Sequence, residues 1–358
     1  MARGYAALAD VIKTTSDGVN LNLIWDEFNS TIDLANSNRS ALVDLFCFRT
    51  TLKGDTVLQS PTGTADFEDA SEYGVPQSLR AEAATVTMGY TFRWKDLASR
   101  YTWQYLADAS AAEVTSLHNA ALEADNRLVF KTVLSRLFDP STGVNENGSP
   151  VYGLWNGTDG QAPPTYNGNS FASVHSHYMT TGTTTLDPAD VEQLADTVLH
   201  HGYGDGDGSQ LVVLVNPAEG ESIASWRAGV NGAKFDFIPS AAAPPYLTTE
   251  TLVGQRPAGE YNGLKVLGQY GRALVAESFL MPLGYLAALA NAGPNSDRNP
   301  VALREHPRRT GLQIIRGNVV DYPLQGSYYI HGLGAGVRHR GAAAVMKVTT
   351  GAYSPPSF

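Results

Sequence analysis

The longest unbroken helical pattern of apolar and polar positions runs from Ser110 to Phe138. Val114, Leu117, Ala121, Ala124 and Leu128 recur at helical spacing on one face, which predicts a single packing partner along the first half. From Leu128 onward Val129, Phe130, Val133, Leu134, Leu137 and Phe138 cover most of the circumference, so the second half should be gripped from several sides. Ser110 and Glu113 have the spacing of a capping box, and Asp139-Pro140 closes the far end. With neither Pro nor Gly between them, about 28 residues at a rise of 1.5 Å make a rod of roughly 40 Å.

Ahead of this rod, Leu21, Leu23, Ile24, Trp25, Phe28 and Ile32 form short amphipathic pieces without the mass for a core of their own. They read as an arm lying along another surface, or as a helical cap on the same subunit. Phe46 to Gln59 and Thr85 to Trp94 are strand-like, the second alternating Val86, Met88, Tyr90 and Phe92 with more polar neighbours, and together they suggest the legs of a hairpin. The stretch between the legs, Ser60 to Ala84, far exceeds an ordinary hairpin turn of about two to five residues. It is also acidic: Asp66, Glu68, Asp69, Glu72 and Glu82 face only Arg80, which suggests a basic partner surface, or else a solvated flexible loop.

Beyond the rod, Leu186-Asp187-Pro188 opens a second helix to about Leu199 with Val191, Leu194, Ala195 and Val198 inward, and Gly202 is placed for a left-handed cap. Leu211 to Val215 is a continuous apolar run suited to a strand buried on both faces, and Asn216-Pro217 starts another helix. Short strands at Phe235 to Pro239, Leu264 to Leu267 and Ala273 to Ala276 complete a second α/β layer. In the extended segment after Tyr328, Gly332, Gly334 and Gly336 share one face, and so bare a face suggests close approach by another backbone.

Composition narrows the classes. With 358 residues, 43% of them hydrophobic, the chain can bury a large core or two, and its 35 Gly and 19 Pro imply many turns and mixed α and β content. A formal charge of −10 argues against a general nucleic-acid binder, because affinity for phosphate comes from Lys and Arg displacing counterions. The single Cys47 cannot form an internal disulfide, and no run approaches a signal peptide or the roughly 20 apolar residues of a membrane span.

Catalytic chemistry is not evident. His175, His177, His200 and His201 are the best prospect for zinc, but His200 and His201 are expected on divergent helix faces with no Cys, Asp or Glu at tight spacing, so no metal is assigned. Asp205-Gly-Asp207-Gly-Ser209 lacks the later Glu of a calcium loop. Nucleophile-elbow, zinc-protease and phosphate-loop motifs are absent, and Gly332-Leu-Gly334-Ala-Gly336 leads into a strand-like run rather than a helix. The expectation is no catalytic residue, no cofactor and no enzyme; a soluble metal-dependent hydrolase using the His cluster is the alternative from another class.

The order of parts, with several local stretches, resembles the major capsid proteins of tailed bacteriophages, in the actinobacteriophage branch. The stretches are Phe67-Glu-Asp-Ala-Ser-Glu-Tyr-Gly-Val-Pro76, His118-Asn-Ala-Ala-Leu-Glu-Ala-Asp-Asn126, His200-His-Gly-Tyr203, Leu211-Val-Val-Leu-Val-Asn-Pro217, Asn299-Pro300 with Arg304-Glu-His-Pro307, and Gly336-Val-Arg-His-Arg-Gly-Ala342. The resemblance implies an α+β fold: an N-terminal arm (1–46), an extended loop built as a long hairpin (47–105), a peripheral domain (106–185) with a spine helix at 110–138, an axial α/β domain (186–312), and a C-terminal return to the peripheral domain (313–358).

It further implies a structural protein that assembles with itself, as pentamers and hexamers, into an icosahedral virion capsid enclosing double-stranded DNA without sequence-specific binding. Assembly would take place in the host bacterial cytoplasm, with separate scaffolding, decoration and portal proteins as further partners and no membrane. A cellular nanocompartment shell of the same fold is the alternative within this architecture. Some relatives cross-link through a lysine near the loop tip, but Gln59 to Gly89 contains none, so no such bond is expected. The arm of about 46 residues is expected to be too short to act as a scaffold. The acidic loop is instead expected to meet the basic C-terminal third on a neighbouring subunit, with Phe67, Glu68, Asp69, Glu72 and Tyr73 on one side and Arg304, Arg308, Arg309, Arg338 and Arg340 on the other.

Overall fold

The computed structural model describes residues 12–37, 41–59, 69, 72, 74, 84–98, 101–205, 208–242, 256–261, 264–317, 324 and 326–358. The chain divides into two compact units, one from residues 1–40, 92–130 and 305–334, the other from residues 41–91, 131–304 and 335–358.

In the first unit, helix Leu21–Ser37 buries Leu21, Ile24, Trp25, Phe28 and Ile32. Most of this face joins Tyr101, Leu106, Ala109, Val114 and Leu324 in one apolar cluster. Four of these five apolar side chains pack in that cluster on their own chain, and Ile32 joins Ala121, Leu312 and Tyr329. Helix Ala111–Phe138 opens with the expected box: Ser110 N–H donates to the Glu113 carboxylate at 2.7 Å, and Glu113 N–H to Ser110 Oγ at 3.3 Å. Its inward stripe differs from expectation by one residue. Leu117 is exposed and His118 is buried, stacked on Phe28 with ring centroids 3.9 Å apart. Thr31 donates to Phe28 O, so His118 Nε2–H donates to Thr31 Oγ1 at 2.6 Å, leaving Nδ1 to accept from Tyr329 O–H at 2.7 Å. Strand Tyr328–Val337 pairs antiparallel, through its residues in this unit, with Arg93–Ala98 and with Gln313–Ile315.

The second unit is built on a mixed sheet in the order Glu260–Tyr261, Leu264–Tyr270, Ala273–Glu277, Gln210–Val215, Tyr285–Asn291, Ala343–Lys347, Tyr178–Thr180, with Phe237–Pro239 also on Leu264–Tyr270. Leu211 to Val215 sits at its centre and is fully buried, as its unbroken apolar run requires. Helix Pro188–Leu199 lays Val191, Leu194 and Val198 into the same core, entered through a capping box between Asp187 and Asp190. The second half of the long helix adds buried Val133, Leu134, Leu137 and Phe138.

Both hairpin legs are present, as Gly54–Leu58 paired antiparallel with Thr85–Gly89 from Gly54↔Gly89 to Leu58↔Thr85. Each expected strand run is split: Cys47–Thr50 pairs in parallel with Val301 to Arg304 instead, and Arg93–Ala98 follows as a separate strand. At the far end of the ladder Gln59 is buried. Its amide donates to Arg338 O at 3.0 Å and accepts from Arg340 N–H at 2.9 Å, while its own carbonyl accepts from Tyr203 O–H at 3.0 Å. The bare glycine face is explained at two points. A Cβ at Gly336 would lie 2.7 Å from Gly89 O, a backbone approach as expected, whereas one at Gly332 would strike the rings of Trp94 and Phe92.

Candidate functional site

The expected contact residues fall into three groups. Phe67, Glu68 and Tyr73 lie outside the described residues; Asp69 and Glu72 are exposed. Arg308 and Arg309 are exposed on a turn closed by the His306–Arg309 bridge. Arg304, Arg338 and Arg340 do not belong on a free surface, because their guanidinium groups are bound within the chain.

Arg304 donates to Tyr90 O at 3.0 Å and to Glu146 at 2.5 Å, which holds the Glu146 carboxyl below its ordinary range. Arg338 pairs with Asp55 at 2.6 Å, donates to Asp297 O at 2.8 Å, and lies over Phe48. Arg340 has no solvent exposure. It donates to Gly153 O at 3.0 Å, Leu154 O at 3.2 Å, Gln161 at 2.8 Å and Asp159 at 2.5 Å, with its guanidinium carbon 4.0 Å from the Trp155 ring centroid. Four of the five donors of the fork find acceptors in this cage, and a charge without such partners would not be tolerated inside. Of the five expected arginines, Arg308 and Arg309 are the exposed ones.

Exposed apolar side chains mark a surface that charge counting passed over. In the turn after Ala273–Glu277, Phe279 is 89% exposed and Leu283 69% exposed, with Leu280 between them also exposed. Three large apolar groups within five residues are more than the scattered single residues a surface normally carries.

The histidines also depart from expectation. Helix Pro188–Leu199 ends with His200 as its C-cap, and Gly202, at φ +82°, turns the chain where any Cβ would strike the Tyr166 ring. His200 and His201 therefore lie in a turn rather than on two helix faces, and their rings converge at 4.5 Å between centroids. The 175–177 segment is brought to them by a bridge between Asn156 and Ser176 and by His177 N–H donating to Trp155 O at 2.7 Å. His175 Nε2 then lies 3.0 Å from His201 Nε2 and 3.4 Å from His200 Nε2. Phe171 walls the group, 4.1 Å from the His201 ring and 5.1 Å from those of His175 and His200. His177 Nδ1 donates to Ala343 O at 2.6 Å, leaving a buried Nε2 with no hydrogen-bond partner among the described residues. Burial pushes all four rings below the ordinary histidine value, His177 to about 3. The signal for this convergence was Gly202, which places the two preceding residues past the helix.

Among the described residues no helix is long and apolar enough to cross a membrane. No protein-family profile matches the sequence, and no curated protein does either. The chain is similar to a solved structure from Mycobacterium phage Patience, with 37% identity, coverage of 99% of this chain and 96% of that one, and a TM-score of 0.70. More distant similarities are to the capsid of a native GTA particle, at 15% identity over 87% of this chain and 91% of that one with a TM-score of 0.47, and to Gordonia phage Cozz, at 13% identity over 87% of each with a TM-score of 0.43.

Proposed function

From the premise that this chain belongs to the major capsid proteins of tailed bacteriophages, we propose that its copies form pentamers and hexamers that close into an icosahedral shell around packaged double-stranded DNA. It is a structural protein of the phage capsid, assembles with itself, and is not an enzyme. The observation that carries the reading is the 37% identity to the Patience structure across nearly the whole of both chains.

The assignment of parts follows the resemblance. Residues 47–105 would reach over a neighbouring subunit, 186–312 would surround the five- or sixfold axis, and the long helix would be the spine of the peripheral domain. Two surfaces are available for contacts between copies: the exposed Asp69 and Glu72 facing the exposed Arg308 and Arg309 of a neighbour, and the apolar turn of Phe279, Leu280 and Leu283. Each exposed charge pair contributes about 0 to 1 kcal/mol, but a closed shell repeats it many times over.

Negative-stain microscopy of the expressed chain, alone and with the products of neighbouring genes, tests the proposal. Rings or closed particles are expected, with nucleic acid in particles matured inside cells. Reversal of Glu68, Asp69 and Glu72 to lysine should weaken assembly at low salt and less so at high salt. A chain that stays a monodisperse monomer under every condition would overturn the reading.

A further inference from the structure

We infer that His175, His200 and His201 form a binding site for a late first-row divalent cation, with zinc as its natural probe. The three residues each offer one ring nitrogen, and these atoms all lie within 4.8 Å of one another. Ligands held about 2.0–2.1 Å from a tetrahedral zinc are about 3.3 Å apart. The two separations at His175, 3.0 and 3.4 Å, bracket that value.

Hydrogen bonding alone does not account for the arrangement. A neutral imidazole nitrogen carries either one N–H or one in-plane lone pair, so it makes one good hydrogen bond. His175 Nε2 sits at bonding distance from two other ring nitrogens, and one proton serves only one of them. A cation between the three satisfies every lone pair at once.

The surroundings suit a metal. His200 Nδ1 lies 3.7 Å from the Asp196 carboxylate, on the side away from the cluster nitrogen, where a carboxylate orients a ligating ring. Phe171 shields the group, and the buried, unpartnered Nε2 of His177 belongs to a ring 4.9 Å from that of His201. His175 and His200 are only half-buried, so the group is open to solvent. Three imidazoles without thiolate favour zinc, nickel, cobalt or copper over magnesium or calcium, and they leave a fourth position for water. Bound there, the ion would tie the 171–177 segment to the end of helix Pro188–Leu199, a cross-link in a chain whose one cysteine can make none.

The test is zinc and cobalt titration of the purified full chain after chelation and dialysis, read by metal content and by the visible absorption of cobalt. One ion per chain and the intense bands of low-coordinate cobalt are expected, with a rise in melting temperature on adding zinc. His175→Ala and His200→Ala should each weaken binding at least roughly tenfold and abolish the cobalt bands, while His306→Ala, outside the cluster, should leave both unchanged. Cobalt spectra of the unmodified chain keep the test valid should a variant misfold. Failure of the unmodified chain to retain zinc, or retention that His175→Ala and His200→Ala leave intact, would overturn the inference. Neither outcome bears on whether the chain forms shells.

Discussion

Replacing Arg340 by alanine probes the most completely enclosed charge in the described chain. The side chain makes four hydrogen bonds, to Gly153 O, Leu154 O, Gln161 and Asp159, and lies against the Trp155 and Tyr152 rings. Truncation strands two carbonyls, the Gln161 amide oxygen and a carboxylate that also accepts from Gln161 N–H at 3.1 Å. Breaking a buried pair from one side costs about 3–5 kcal/mol, because the remaining charge loses its compensation without regaining water. Arg340→Lys keeps the charge but not the planar fork, so it should lose about half as much. Asp159→Asn introduced into the Arg340→Ala background should recover roughly 1 kcal/mol, since it neutralises the stranded charge. Urea unfolding of the unassembled subunit, followed by tryptophan fluorescence, measures all three, and Trp155 reports directly on the cage. A loss below about 1 kcal/mol for Arg340→Ala would refute the cage and return Arg340 to the surface contact first expected of it.

Three further outcomes follow from the same geometry. Burial holds His118 at about 4, below the ordinary 6.5, so it contributes stability that is complete above 6.5 and is lost as pH falls toward 4, up to about 3 kcal/mol; His118→Gln should flatten that part of the stability profile, and an unchanged profile would contradict the assignment. His339 is likewise held at about 4 by burial, so a loss with the same sign should remain in that variant. Gln59→Leu leaves Arg338 O and Arg340 N–H unpaired inside the protein and should cost about 2 kcal/mol in urea unfolding. Phe279→Asp with Leu283→Asp should leave subunit stability unchanged, since both side chains already face water, yet reduce particle yield; unaltered yield by sedimentation would remove that turn from the assembly surface.

What the sequence made legible was the local grammar. The Ser110–Glu113 box, the Asp187-Pro188 helix start and the unbroken Leu211 to Val215 run each depend on residues within one element, and each is found where expected. What depended on distant partners was not legible. Arg308 and Arg340 are the same residue type in the same basic third, and the distant Gly153, Leu154, Asp159 and Gln161 make the difference between an exposed cation and a caged one. Position 118 shows the same limit, since a histidine faces inward only where Phe28, Thr31 and Tyr329 have assembled to receive it. The helix end at Leu199 was legible from Gly202, but its consequence for the two histidines needed the opposing 175–177 segment.

Gln59 follows the last pair of the Gly54–Leu58 and Thr85–Gly89 ladder within the second unit. Knotted to the backbone at Arg338 and Arg340 and to the Tyr203 hydroxyl, it acts as a mooring. A pull on the Gly54–Leu58 strand would pass through these bonds to the residues that follow strand Tyr328–Val337. If copies in a shell hold one another through this hairpin, part of any load would be carried by amide groups buried inside each protein.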